Sequence, residues 1–279
     1  MKRVAAVLLV FVLCLSVSCH GSGERETDAL RAYFLDVGQG DCTLLRTAGG
    51  DVLIDCGPES SQESLCRKLK ACGVERFALV LLTHPDEDHI GGADAVLEAF
   101  PTDLVCLNGA DSASESAERL RGTLYARSVP TSVARAGDSF LLGEVLLTVL
   151  YPTQDAEAAD GNGGSLVLRV QCGTISILMM GDAERETEKF LLAAYGPSHL
   201  SADLLHVGHH GSNSSSSEAF LQAVSPSYAV VSCGAGNRFG HPDGRTLARL
   251  SAVGATVLRT DRSGDILFAS NGENLRPVS

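Results

Sequence analysis

The stretch LVLLTHPDEDHIGG (residues 79–92) decides how the rest of the chain is read. An apolar run ends at Thr83, which reads as a strand buried on both faces. His84 and His89 follow, with Asp86 and Asp88 between them. A sheet holds the backbone up to Thr83, so the loop beyond it can aim all four side chains at one point. Imidazole and carboxylate together form a donor set for zinc, manganese or iron. The competing reading is the acidic start of a helix, because carboxylates there offset the helix dipole.

Two other strand ends decide between these readings. ILMMGD (177–182) leaves Asp182 just past an apolar strand, where it either binds a ligand or caps the helix that follows. LLHVGHHGS (204–212) places His209 and His210 past another strand. His206, inside that strand, reads as structural. Ligand types gathered at three strand ends are the arrangement a metal centre needs.

Working outward, AYFLDVG (32–38), CTLLRT (42–47) and DVLIDCG (51–57) read as strands separated by turns. Residues 61–74 read as a helix stopped at Gly73, and residues 91–100 as a second helix. Strand DLVCL (103–107) leads into a weakly patterned region at 109–140 that carries one surface helix. EVLLTVLYP (144–152) resumes strand character, and 165–182 reads as a hairpin turning at Cys172-Gly173. Helices and strands then alternate to the last predicted strand, GDILFAS (264–270). The two halves share an outline of strands first, then alternating helices and strands. Two packed sheets with helices outside, in one layered α/β domain, satisfy that pattern.

A chain of 279 residues with 44% apolar content can bury a substantial core. A net charge of −12 does not fit a general nucleic-acid binder. Bound cations can still supply local positive charge for a phosphate. Lys2 and Arg3 precede an apolar run over 4–17, the pattern of a signal peptide covering residues 1–18. Cys19 after small residues matches a bacterial lipoprotein cleavage site, with ordinary secretion or an uncleaved anchor as alternatives. The expected layout is signal peptide 1–18, tether 19–29 and a domain over 30–279, outside the cytoplasm and touching membrane only through an N-terminal lipid. The seven cysteines beyond residue 19 form no CxxC cluster and read mostly as small buried hydrophobes, with a Cys66–Cys72 disulfide left open.

The motifs FLDVGQGDCTLL (34–45), VLIDCG (52–57), THPDEDHIGG (83–92), SLVLRV (165–170), MGD (180–182), VGHHGS (207–212), SCGAGNRFGHP (232–242) and TDRSGDI (260–266) occur in an order that resembles the metallo-β-lactamase superfamily. Within it the chain is most similar to the soluble domain of ComEC-type competence (DNA-uptake) proteins. The resemblance implies a four-layer αββα sandwich with the metal site at one edge. It assigns His84 and Asp86 to a first divalent ion, Asp88, His89 and His209 to a second, and Asp182 to a bridge between them. The histidine that usually completes the first site is missing, and Asn162 and Ser165 are the nearest candidates. An oxygen-rich first site could favour manganese over zinc or leave that site only partly occupied.

Two such ions could polarise a phosphoryl or acyl oxygen and generate a nucleophile at neutral pH. Asp36 and Asp41, in DVGQGD, either orient ligands or build a turn. Besides Asp88, the candidate catalytic residues are His241, which could give a proton to a leaving group, and Ser212, which could bond a substrate oxygen. The expected function is a metallo-hydrolase, foremost a phosphodiesterase or nuclease on single-stranded DNA, acting alone or with DNA-uptake machinery as a candidate partner. The alternatives are a cell-envelope phosphoesterase on a small or wall-linked substrate and a non-catalytic metal-binding lipoprotein. No basic stripe with interleaved aromatics is evident in the sequence.

Overall fold

The computed structural model describes residues 28–153 and 161–278. The expected signal peptide, Cys19 and most of the tether lie outside these residues. Among them, no helix is long and apolar enough to cross a membrane.

Strands β1 (Leu30–Phe34), β2 (Thr43–Thr47) and β3 (Gly50–Ile54) form an antiparallel meander. Helix α1 (Gln62–Ala71) crosses over to β4 (Phe77–Leu82), which lies parallel to β3. Helices α2 (Glu87–Ile90) and α3 (Ala93–Ala99) lead to β5 (Val105–Leu107), and α4 (Glu115–Arg127) leads to β6 (Thr131–Val133). The second half repeats this plan. Strands β7 (Ser139–Leu142), β8 (Val145–Tyr151), β9 (Val167–Cys172) and β10 (Ile175–Met179) are antiparallel. Helices α5 (Arg185–Tyr195) and α6 (Pro197–Leu200), strand β11 (Leu204–His206), α7 (Glu218–Val224), β12 (Tyr228–Val231), α8 (Gly244–Ala252) and β13 (Thr256–Arg259) then alternate, with the strands parallel. After the short α9 (Thr260–Ser263), β14 (Ile266–Ser270) and β15 (Leu275–Val278) return to the first sheet. The sheet orders are β15-β14-β1-β2-β3-β4-β5-β6 and β13-β12-β11-β10-β9-β8-β7.

The layers follow from side-chain alternation. All six residues of β4 are buried, as expected of a strand covered on both faces. Leu79 and Leu81 enter the core between the sheets with Phe34, Phe268, Leu147, Leu168 and Ile177. Val80 and Leu82 face the other way, under α1, α3 and α4. A third core lies between the second sheet and α5, α7 and α8. This is the αββα sandwich. Helix α4 begins where Ser114 Oγ accepts the Ala117 N–H at 3.2 Å, an N-cap that satisfies a donor the helix cannot.

Strands β6, β7 and β15 were not expected from the sequence. Every residue of β6 is exposed, and β15 contains Pro277 on a sheet edge, so neither carries the alternation that marks a strand. Cys66 and Cys72 are both free thiols.

Candidate metal centre

The carboxyl ends of β3, β4, β10, β11 and β12 converge on one edge of the sandwich. Residues 36–41 close over that edge as a tight loop. A Cβ on Gly40 would lie 2.3 Å from the Asp88 carbonyl oxygen, so only glycine lets the loop reach the segment carrying Asp86, Asp88 and His89. The Asp41 N–H donates to that same oxygen at 3.1 Å.

Asp182 stands at the middle of the cluster and presents its two oxygens to different sides. Its Oδ1 is 3.2 Å from His89 Nε2 and 3.6 Å from His210 Nε2, and His210 Nε2 is 3.2 Å from Asp88 Oδ2. Its Oδ2 is 3.8 Å from His84 Nε2 and 3.7 Å from His209 Nε2, and His84 Nε2 is 3.6 Å from Asp86 Oδ2. The structure therefore brings together His84, Asp86, Asp88, His89 and Asp182 and corrects one expectation. The place beside Asp88 and His89 belongs to His210. His209 lies toward His84, on the side where the first site lacked a histidine. Both residues occupy the left-handed region, with φ of 50° and 51°. These consecutive strained positions, each costing on the order of 1–3 kcal/mol, turn both neighbouring rings inward.

The candidate third ligands fall elsewhere. Ser165 Oγ is 3.2 Å from His84 Nδ1 and accepts the Asp182 N–H at 3.1 Å, so it orients both residues from behind. Asn162 Nδ2 lies 3.3 Å from the His209 ring nitrogens. Ser212 Oγ is bonded to Ser214 Oγ at 2.8 Å and accepts the Ser214 N–H, which commits it to its own loop. His241 sits at the mouth, its ring 5.4 Å from that of His209 and 6.4 Å from that of His210. Burial and these two neighbours lower the His241 pKa and favour the neutral ring.

Several supporting residues were missed. Asp55 Oδ2 lies 2.8 Å from His89 Nδ1, while its oxygens also accept the Thr83 N–H and hydroxyl at 2.7 Å. Such a carboxylate fixes the ring so that Nε2 points to the ligand. Asp55 has φ of 58°, a strained conformation that VLIDCG does not announce. His210 Nδ1 donates to the Ser232 carbonyl at 3.0 Å, with Asp41 Oδ1 3.2 Å away. Asp41 therefore supports the site, whereas Asp36 accepts the Gly38 N–H and builds the turn. Glu184 bonds His209 Nδ1 at 2.8 Å and accepts from Ser214 Oγ at 2.7 Å. His206, as expected, is structural: its Nε2 meets Ser232 Oγ at 2.8 Å and its ring packs on Phe34.

The cluster fits a cation. His84 Nε2, His89 Nε2 and Asp182 Oδ1 are buried and have no hydrogen-bond partner, a costly state for polar atoms unless something binds them. Each ion-pair partner of Asp41, Asp55, Asp86, Asp88 and Asp182 among the described residues is a histidine. His84, His89 and Asp182 form one ligand group, and Asp88, His89 and His210 another. Burial disfavours charged His89, but Asp182 and Asp55 outweigh it and raise its pKa well above the ordinary value. Burial likewise opposes charged His210, and Asp182 and Asp41 overcome it. Asp182 is held well below the carboxylate range because His210 and His89 outweigh its desolvation. Without metal, protons on the histidines take the cation's place, and metal binding must release them.

The sequence profile of the metallo-beta-lactamase superfamily matches residues 35–235. The chain is 37% identical over 260 residues to Competence protein ComA of Neisseria gonorrhoeae, covering 93% of this chain and 35% of that protein. It is 31% identical over 265 residues to ComE operon protein 3 of Bacillus subtilis, covering 88% of this chain and 33% of that protein. It thus spans about a third of the length of these curated relatives. The fold is shared with the metallo-beta-lactamase fold protein YhfI of Bacillus subtilis, at a TM-score of 0.57 and 12% identity over 88% of this chain and all of that one. Sequence profile, layered sheets and the cluster of histidines and aspartates at their edge agree: the chain belongs to the metallo-beta-lactamase superfamily, a family of metallo-hydrolases.

Proposed function

We propose that the chain is a metal-dependent phosphodiesterase that cleaves single-stranded DNA. One observation carries this reading: Asp182 offers one oxygen to a His89–His210–Asp88 group and the other to a His84–His209–Asp86 group. We read this as a site for two divalent ions bridged by Asp182. When bound, such ions supply Lewis acidity toward a phosphoryl oxygen and a nucleophile at neutral pH. The donor set suits zinc or manganese.

The protein's own residues do the rest. Asp55 and Ser165 hold the His89 and His84 rings from behind. Neutral His241 offers one ring N–H at the mouth to an oxygen of the substrate. Glu184 and Ser214 hold His209. DNA enters the reading through the competence proteins that the chain resembles. Placement outside the cytoplasm, anchored through a lipid on Cys19 and beside DNA-uptake machinery, belongs to the same proposal; mass spectrometry of the membrane-extracted protein would detect the lipid.

The test is cleavage of single-stranded DNA by the purified chain, chelated and then given Mn²⁺ or Zn²⁺, alongside Asp86→Ala and Asp182→Ala. Metal-dependent cleavage abolished by Asp182→Ala and strongly reduced by Asp86→Ala is expected. Metal bound with no cleavage of any strand would overturn the nuclease reading and turn attention to small envelope phosphodiesters.

A further inference from the structure

The rim of the metal centre carries an aromatic ring that packing does not require. Phe239 is 54% exposed, whereas Phe34, Phe77, Phe220 and Phe268 are fully buried. Its loop is built to hold it there. Asn237 Oδ1 accepts the N–H groups of Phe239 at 3.2 Å and His241 at 3.0 Å. Asn237 Nδ2 donates to the Gly234 carbonyl at 2.9 Å and the His241 carbonyl at 2.6 Å.

The ring is also in line with the site. Phe239 stacks on His241 with centroids 5.8 Å apart and planes 24° apart, and His241 stacks on His210 at 6.4 Å and 30°. The guanidinium carbon of Arg238 lies over the Phe239 ring, 5.0 Å from its centroid. Among the described residues neither a carboxylate nor another hydrogen-bond acceptor meets the Arg238 guanidinium, whereas Arg121, Arg127, Arg169, Arg185 and Arg249, which also lack a carboxylate, bond carbonyl oxygens. A row of planar groups therefore runs from an unpaired, exposed cation through an exposed ring to a histidine of the metal centre.

We infer that Phe239 is the stacking platform for a nucleobase flanking the phosphodiester at the metal centre, and that Arg238 serves the adjoining phosphate. The inference rests on the phosphodiesterase reading and narrows its substrate to strands with unpaired bases, because a duplex keeps its base faces stacked on one another. Every base has a π-face, so such a platform binds without sequence preference. An exposed guanidinium over a ring is held more weakly than a stacked base. An incoming base can take its place, and the freed cation then reaches a phosphate. In a chain of net charge −12, a cation left unpaired at the rim supplies positive charge where the strand enters.

The test measures affinity apart from turnover. The metal-loaded full chain is titrated with a labelled phosphorothioate oligothymidylate, which resists hydrolysis, and with a matched strand of abasic sugars. The wild type is expected to prefer the base-bearing strand by roughly 5- to 100-fold. Phe239→Ala is expected to erase most of that ratio and Phe239→Tyr to keep it, while Arg238→Ala weakens both strands together. An unchanged ratio in Phe239→Ala, or a wild type that binds neither strand, overturns the inference. A separate assay on ordinary phosphodiester strands tests the phosphodiesterase reading: no cleavage refutes that reading, while the affinity ratio still decides the role of Phe239.

Discussion

Replacing Asp55 with asparagine probes the centre without removing any atom that faces the metal. Asp55 accepts three donors on two oxygens: the Thr83 N–H at 2.7 Å, the Thr83 hydroxyl at 2.7 Å and His89 Nδ1 at 2.8 Å. Asparagine keeps the shape but has one acceptor oxygen. The buried Thr83 N–H has no alternative partner and retains it. The new amide NH₂ then points at His89 Nδ1, which can accept only by giving up its proton. That moves the imidazole proton to Nε2, the atom 3.2 Å from Asp182 that should hold the ion. Loss of such a supporting carboxylate costs roughly 10- to 100-fold in metal affinity, or about 1.4–2.7 kcal/mol. The assay is a calorimetric titration of the chelated protein with Zn²⁺ and Mn²⁺ at neutral pH. Thermal melting of the metal-free protein runs in parallel, because the lost charge-assisted bond also weakens the fold by about 1.5–3 kcal/mol. A folded Asp55→Asn protein that binds metal as tightly as the wild type would refute the argument that Asp55 sets the His89 tautomer.

Three further outcomes are expected. Anomalous diffraction from Zn²⁺-soaked crystals should find that His209→Ala keeps an ion at the Asp88–His89–His210 group while His210→Ala loses it; the reverse pattern would reassign the two histidines. The metal-free protein should be most stable at mildly acid pH. The raised pKa values of His89 and His210 give stability that is full below 6.5 and lost as pH rises through the folded values. The lowered values of Asp88 and Asp182 give stability present above 3.8 and lost as pH falls through theirs. Melting curves across pH check this, and stability that rises steadily from pH 6 to 9 without metal would contradict it. Phe268→Ala opens a cavity in the core between the sheets, where the ring packs edge-on against Phe34 and Tyr228. It should cost about 3–5 kcal/mol in urea unfolding while the folded fraction keeps its metal.

Much of the candidate centre is legible in the order of residues. LVLLTH announces a strand followed by ligands, because a strand buried on both faces needs an unbroken apolar run and its end is the first place polar groups can stand. The same logic finds Asp182 after ILMM and the histidine pair after LLHVG. Alternation and turn residues also yield most of the core strands and helices. The edge strands β6 and β15 escaped because a strand exposed to water has no burial to imprint on its sequence.

The sequence by itself therefore determined the layered α/β plan, the superfamily and the segments that carry the candidate ligands. Only the tertiary structure decided which of two adjacent histidines serves which side of Asp182, since that depends on two consecutive left-handed backbone turns. It alone placed Asp55 and Asp41 behind His89 and His210, and set Phe239 and Arg238 in line with the centre. A strand-end motif is a local event of apolar periodicity, and residue order records it. The direction of a side chain, and the partner it meets from a strand far away in the chain, are set by how the two sheets pack.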